Sequence, residues 1–234
     1  IIRFPAQDGA MVPARIYRPS QVGVEAHGGA VLFVHGAGYL QNVHDWWSSY
    51  YREWMFHHYL ISQGFTVLDV DFRASAGYGR DWRTAIYRFM GGKDLSDYVD
   101  GVDWLVANEG VDRGRIGIYG GSYGGFMTNW ITAHDQRFAT AVTDRSITNW
   151  LSFYGVSDAS SLVENEFGGM PWPFESTEEG SYNLVMMLSP IVWADRVQTP
   201  TMIIHSINDY RTPLEGGEQW FRALQKHDVP VRMV

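Results

Sequence analysis

"RIGIYGGSYGGFMTNW", residues 115–130, decides the fold. A β-branched run from Ile116 to Tyr119 meets Gly120-Gly121-Ser122-Tyr123-Gly124, and the residues beyond read as a helix to about 134. Gly-x-Ser-x-Gly between an apolar strand and a helix is the context of a nucleophile elbow. The reason is steric: the serine occupies a strained turn, and glycines on either side remove side chains that would strike the neighbouring strand and helix. Here Gly120 and Gly124 are the motif glycines, and Gly121 and Gly125 widen the space further. A phosphate cradle would need a Lys-Ser/Thr ending or the spaced glycines of a dinucleotide site, and the stretch has neither.

Outward from the elbow the chain alternates strands and helices. Residues 1–5 and 12–18 flank Asp8-Gly9 and read as an antiparallel strand pair. "AVLFVH" at 30–35, "GFTVLDVDF" at 64–72, "FATAVTD" at 138–144 and "TPTMIIHS" at 199–206 are short apolar runs of the kind buried on both sheet faces. Helices are expected over 50–63, 94–109 and 214–227, with "VPVRMV" beginning one more strand. In 94–109 the apolar residues fall at 95, 98, 99, 102, 105 and 106, one helical face, and Asp94 and Asp97 lie where a helix start favours negative charge. This order predicts an α/β fold with a mostly parallel sheet and helices on both faces. Residues 144–198 read as a long irregular insertion that lines a substrate pocket, with a short helix before "SPIVWA".

Eighteen basic and twenty-six acidic residues leave a net charge of −8 with no basic run, which speaks against nucleic acid and anionic membranes as partners. The absence of cysteine rules out disulfides, thiolate metal sites and a cysteine nucleophile. No metal site or cofactor motif is read. The first residues carry neither a basic leader nor a long apolar run, so no signal or membrane segment is expected, and the missing initiator methionine marks residue 1 as a boundary. The compartment stays open between cytoplasm and periplasm.

A hydroxyl is a poor nucleophile without a base and an oxyanion site. The elbow offers the Tyr123 N–H as one oxyanion donor. The second is expected from "HGAGY", residues 35–39, where Gly36 and Gly38 let amides face the site. His35 and Tyr39 could add a side-chain donor, although His35 is equally well explained as structuring its own loop. The acid is expected at Asp209, which follows a buried strand toward the sheet end that carries the elbow; Asp195 and Asp228 are weaker competitors. Arg211 either binds a carboxylate or pairs with a neighbour.

"HGAGYLQ", "DFRASAGYGRDW", "MGGKDLSDYVDGVDWL", "DRGRIGIYGGSYGGFMTNW", "SITNWLSFYG", "SPI" and "HSINDYRTP" together resemble the catalytic domain of the prolyl oligopeptidase family of serine peptidases, S9, in its acylaminoacyl-peptidase and dipeptidyl-peptidase-like branch. The resemblance covers nearly the whole chain. It implies an α/β-hydrolase fold, a Ser-Asp-His triad and hydrolysis of short peptides with release of an amino-terminal residue, dipeptide or acylated residue. Carried over position by position, Ser122 resembles the nucleophile, Asp209 the acid, and Tyr123 N–H with the His35–Gly36 loop the oxyanion hole. Trp150 and Phe153 resemble the aromatic wall of the pocket for the residue before the scissile bond, with Tyr154 nearby, and Arg211 a substrate-contacting polar residue. Family members often assemble, so a homo-oligomer is a possible state.

Three departures accompany the resemblance. "DFRASAG", residues 71–77, has alanine where the family commonly places glycine before the serine. The family's amino-terminal β-propeller is absent from these residues. The triad histidine is expected in a loop beyond the last strand, and the sequence stops inside that strand at Val234. The one histidine after Asp209 is His227, and a helix of about thirteen residues at 1.5 Å each carries it some 20 Å from the elbow. His205 reads as structural, His134 as pointing away, and His44, His57 and His58 precede the nucleophile. The chain alone is thus expected to be nearly inactive. A carboxylesterase on the same fold, or a catalytically silent fragment, are the alternatives.

Overall fold

The computed structural model describes residues 1–172 and 181–234. Part of the predicted insertion, including Pro173 and Phe174 of "FGGMPWPF", lies outside the described residues. Strands β1 (Ile2–Pro5) and β2 (Met11–Tyr17) form the expected hairpin around Asp8-Gly9. β3 (Ala30–Val34), β4 (Thr66–Val70), β5 (Ile116–Ser122), β6 (Thr140–Ser146), β7 (Thr201–Ile204) and β8 (Val231–Met233) complete one sheet of eight strands, ordered β1-β2-β4-β3-β5-β6-β7-β8. Only the β1–β2 and β2–β4 pairs are antiparallel. From β4 to β8 every pair is parallel, so all carboxyl ends of these strands lie along one edge.

The helices expected from periodicity are present as α1 (Tyr51–Ser62), α3 (Lys93–Asn108), α4 (Tyr123–His134) and α8 (Leu214–Lys226). Parallel neighbours in register point the same way, so Leu68, Leu32, Ile118 and Ala141 share a face. That face packs with Phe4, Tyr98, Val102, Phe126 and Ile131 in the main core, beneath α3 and α4. Ile203 continues it under Trp220 and Leu224 of α8. The opposite face, through Tyr17 and Val67, receives Leu60 and Ile61 of α1. Helices thus cover both sides of a mostly parallel sheet, an α/β-hydrolase architecture. No described helix is long and apolar enough to cross a membrane.

The segment expected to be irregular holds α5 (Trp150–Val156), α6 (Ser161–Phe167), the short helix expected before "SPIVWA" as α7 (Ser181–Met187), and a 3-10 turn over Pro190–Arg196; α5, α6 and a short α2 (Arg80–Arg83) were not anticipated. Seven residues are too few to display a helical period. What starts α5 is instead a cap, the Asn149 side chain accepting from Leu151 N and Ser152 N.

Candidate active site

Ser122 closes β5, and Tyr123 opens α4 with no residue between them. The turn forces Ser122 to φ 59°, ψ −121°, a conformation that costs on the order of 1–3 kcal/mol in a non-glycine residue. The glycines around it are required by close backbone approach. A Cβ on Gly120 would lie 2.6 Å from Val34 O, and one on Gly124 would collide with the same carbonyl. β3 can therefore run alongside the elbow and deliver its following loop to it. Beyond Gly121 the β5–β6 register shifts, pairing Ser122 with Ser146 and leaving Arg145 bulged at φ 40°.

Ser122 is half-buried, and its hydroxyl has no hydrogen-bond partner among the described residues. Tyr123, the first residue of α4, has an amide with no acceptor inside the helix. Its ring is fixed from below: the Tyr123 hydroxyl donates to Asp94 Oδ2 at 2.6 Å, and Asp94 also accepts from Gly91 N and Leu95 N. Burial pushes the Asp94 carboxyl up to about 6, against the pull of these donors. Asp94 is thus more than a helix-start charge, and Asp97 likewise is buried in a pair with Arg73 at 2.6 Å.

The loop after β3 stands beside the serine, since a Cβ on Gly36 would lie 3.1 Å from Gly121 O and 3.5 Å from Ser122 Cβ. Its amide is engaged, with Gly36 N donating to Tyr50 Oη at 2.6 Å. Ala37, next in the loop, adopts φ 59° and is exposed. His35 is fully buried, stacked 4.4 Å from Phe72, with Nδ1 at 3.1 Å from Gly36 O and Nε2 at 2.8 Å from Ser75 Oγ. Burial lowers its pKa although Asp71 lies opposite. Of the two roles left open for His35, these contacts fit the one that structures the loop. The Tyr39 ring lies under the Arg83 guanidinium, 5.4 Å away.

Asp209 sits five residues beyond β7, at the sheet edge that carries Ser122, with β6 between them. Its Oδ1 accepts from Arg211 N at 2.9 Å and Thr212 N at 2.8 Å, and its Oδ2 from Thr212 Oγ1 at 3.0 Å. Between the two strands, Asp144 at the end of β6 is pushed up by burial and by Asp209, and pulled down by Arg145 and His205. The Asp209 loop is tied to the loop after α5: Ser157 Oγ donates to Arg211 O at 2.6 Å, and Arg211 Nε to Asp158 Oδ1 at 2.5 Å. Arg211, whose role was left open, is exposed and paired with Asp158.

Trp150 and Phe153 are buried, at 0% and 5% exposure, and meet edge to face at 5.5 Å; Trp150 also packs on Phe126 and Phe167. The Trp150 indole N–H has no partner among the described residues. Tyr154 donates to Glu164 Oε1 at 2.6 Å and stands against Trp172. These aromatics pack as a wall behind the elbow helix. A cavity of about 1140 Å³ lies elsewhere, lined by Phe89, Trp130, His134, Met187 and Trp193 toward the far end of α4.

None of the eight histidines bonds Ser122 or Asp209. His205 Nε2 is held by Thr212 O at 2.6 Å, His134 stacks on Trp130, His57 bonds Tyr119, and His227 is exposed at the end of α8. No described cluster of side chains could hold a metal ion. Tyr50, Asp94, Asp144, Arg145 and Asp158 surround the site without having been anticipated. For Arg145 the sequence offered a signal, a charged pair directly after a buried strand at the carboxyl edge; Tyr50 and Asp158 reach the site only through folding.

The prolyl oligopeptidase family profile matches residues 50–234. An uncharacterized peptidase of Bacillus subtilis, YuxL, is 36% identical over 234 residues, covering 100% of this chain and 34% of that protein. The acylamino-acid-releasing enzyme of Sus scrofa is 30% identical over 190 residues, 80% of this chain and 26% of that one. Among solved structures, Pyrococcus horikoshii acylaminoacyl peptidase superposes with a TM-score of 0.81 at 28% identity, over 100% of this chain and 36% of the other. The chain thus spans about a third of the length of such relatives.

Proposed function

The chain belongs to the prolyl oligopeptidase family of serine peptidases, and from that premise we propose that it is the catalytic part of a peptidase that hydrolyses short peptides through an acyl-enzyme on Ser122. One observation carries the proposal: Ser122 is held at φ 59° directly between β5 and α4, with a helix-start amide on one side and the Gly36 loop on the other. That geometry has a steric cost and no packing benefit that a glycine would not also provide.

In the proposed reaction Ser122 Oγ attacks the scissile carbonyl and Tyr123 N–H stabilises the developing oxyanion. A histidine takes the serine proton and passes it to the leaving amine, with Asp209 fixing its tautomer. Water then attacks the acyl-enzyme by the same proton path in reverse. We place that histidine in chain following Val234. β8 runs parallel to β7, so a loop leaving β8 emerges beside Asp209 at the edge that bears Ser122. Trp150 and Phe153 are proposed as the wall of the substrate side-chain pocket, with Tyr154 and Arg211 nearer the solvent. An amino-terminal β-propeller in the whole protein, limiting substrates to short peptides, fits the one-third coverage of relatives.

The test is a substrate panel on protein expressed from its whole reading frame. Aminoacyl, acyl-aminoacyl and dipeptidyl arylamides are compared with short-chain nitrophenyl esters. Amide cleavage that disappears in Ser122→Ala supports the peptidase; rapid ester hydrolysis with no amide cleavage assigns a carboxylesterase instead.

A further inference from the structure

Residues 44–55, "HDWWSSYYREWM", concentrate aromatic side chains that folding does not take into the core. Trp46 and Trp47 are 78% and 83% exposed, and Tyr51, Trp54 and Met55 are exposed as well. α1 turns His57, Leu60 and Ile61 inward, which leaves Tyr51 and Met55, one turn apart, on its outer side. Apolar side chains scattered singly over a surface are ordinary, but a contiguous group marks a place where something binds. With Asp45 these five line a cavity of about 570 Å³, the size of a small-molecule site.

The loop that carries the rings is fixed from beneath. Buried Asp71 accepts from Asn42 N at 2.9 Å and Val43 N at 3.0 Å, and the Arg15 guanidinium donates to His44 O. Trp46 N donates to His44 Nδ1 at 3.1 Å, and Ser48 Oγ accepts from Tyr50 N at 3.0 Å while donating to Asn42 Oδ1 at 2.7 Å. Within this frame the ring faces stay open. Among the described residues Trp46 and Trp47 pack on no other ring, and Trp54 meets only His58, at 3.9 Å. Tyr51 already holds a cation, the Arg52 guanidinium, 5.5 Å from its ring centre. The exposed Asp45 carboxylate has no hydrogen-bond or ion-pair partner among the described residues.

Open ring faces and one unpaired carboxylate select among ligands. A purely apolar ligand would use the rings and leave the carboxylate without a role, and an anion would be repelled by it in a chain of net charge −8. A metal ion needs several ligating side chains, and no described cluster supplies them. An organic cation uses both features, since the faces of indole and phenol rings are electrostatically negative and the carboxylate adds a full countercharge. We propose that this cavity binds an organic cation, an alkylammonium or guanidinium group, between Trp46, Trp47 and Trp54 with Asp45 as its counterion. The group comes either from a free ammonium compound or from the basic side chain of a peptide. The site is separate from hydrolysis at Ser122, and its occupancy is measurable without turnover.

The test uses Ser122→Ala protein from the whole reading frame, so that no peptide is consumed. Choline is titrated against tryptophan fluorescence, with its uncharged isostere 3,3-dimethylbutan-1-ol in parallel. Choline should give a saturable change, and the isostere should bind about tenfold or more weaker, the worth of a partly desolvated cation–π contact. Trp47→Leu and Asp45→Asn should each weaken choline about five- to tenfold; both side chains are exposed, so neither change removes core packing. Acetyl-Gly-Lys-Gly-amide and its norleucine counterpart then compete against choline. Displacement by the lysine peptide alone assigns a basic side chain as the occupant, and displacement by neither assigns a free ammonium compound. Equal binding of choline and isostere, equal displacement by the two peptides, or undiminished choline affinity in Asp45→Asn would overturn the proposal. So would the absence of any saturable choline response, which would mean that another part of the protein covers the rings.

Discussion

Replacing Asp209 with asparagine separates its two roles, because the structure shows what each carboxylate oxygen does. Oδ1 accepts the amides of Arg211 and Thr212, and Oδ2 accepts the Thr212 hydroxyl. In Asp209→Asn the remaining oxygen keeps both amides, and the new amide donates to a Thr212 hydroxyl that rotates to accept. The loop therefore loses less than about 1 kcal/mol, whereas Asp209→Ala strands two amides and a hydroxyl and costs about 2–3 kcal/mol. Catalysis responds in the opposite proportion. An asparagine presents a donor where a histidine N–H needs an acceptor, favours the wrong tautomer, and should lower kcat about 10⁴-fold, roughly 5.4 kcal/mol of barrier. Thermal melting alongside anilide kinetics, on protein from the whole reading frame, measures both. A folded Asp209→Asn protein that keeps a tenth of wild-type turnover would mean that Asp209 only shapes its loop, and the acid would have to be sought elsewhere, with Asp144 the first candidate.

Other perturbations test the scaffold. Gly124→Ala places a Cβ against the Val34 carbonyl and 3.2 Å from His35 O, backbone atoms that cannot rotate away. It should cost on the order of 3 kcal/mol in denaturant unfolding, and a loss below 1 would contradict the packing described. Asp94, held at about 6 against 3.8 in an open chain, retains in the folded state a proton that the unfolded state releases. Its stabilising contribution is present below about pH 4 and lost as the pH rises through 6, on the order of 3 kcal/mol. Wild type should therefore lose stability relative to Asp94→Asn across that window, and a constant difference between the two would refute the buried acid. Ala74, buried at φ 139°, occupies a backbone region suited to glycine. Ala74→Gly should relieve strain of about 1–3 kcal/mol while adding less than about 1 kcal/mol of unfolded-state entropy, so its Tm should rise; a fall would show no strain there.

How much of this was legible in the sequence depended on the range over which each feature is encoded. β5, the elbow and α4 are written within nineteen consecutive residues, 116–134, and their physical signal is local: apolar run, glycines, helix. Asp209 was legible because a buried strand immediately precedes it. The α5 and α6 helices were not, being seven residues each with no full period to show, whereas a short helix before "SPIVWA" was expected and is α7. Ala74 was legible only as a departure, a side chain where glycine is usual, and its positive φ shows that the substitution strains the turn. Tyr50 was hidden because its relation to Gly36 spans fourteen residues and depends on the path of the intervening loop. The buried carboxylates Asp69, Asp71, Asp94 and Asp97 were misjudged or passed over for a related reason. A charge in sequence looks like surface, and only its partners in three dimensions explain its burial.

The central claim, that Ser122 is an activated nucleophile, is tested most directly by covalent labelling. Protein from the whole reading frame is treated with a fluorophosphonate, digested, and analysed by mass spectrometry. The account predicts a single stoichiometric adduct on the peptide containing Ser122, formed rapidly near neutral pH and lost in Ser122→Ala together with hydrolysis. An unlabelled Ser122 in folded protein, or hydrolysis that survives Ser122→Ala, would contradict it.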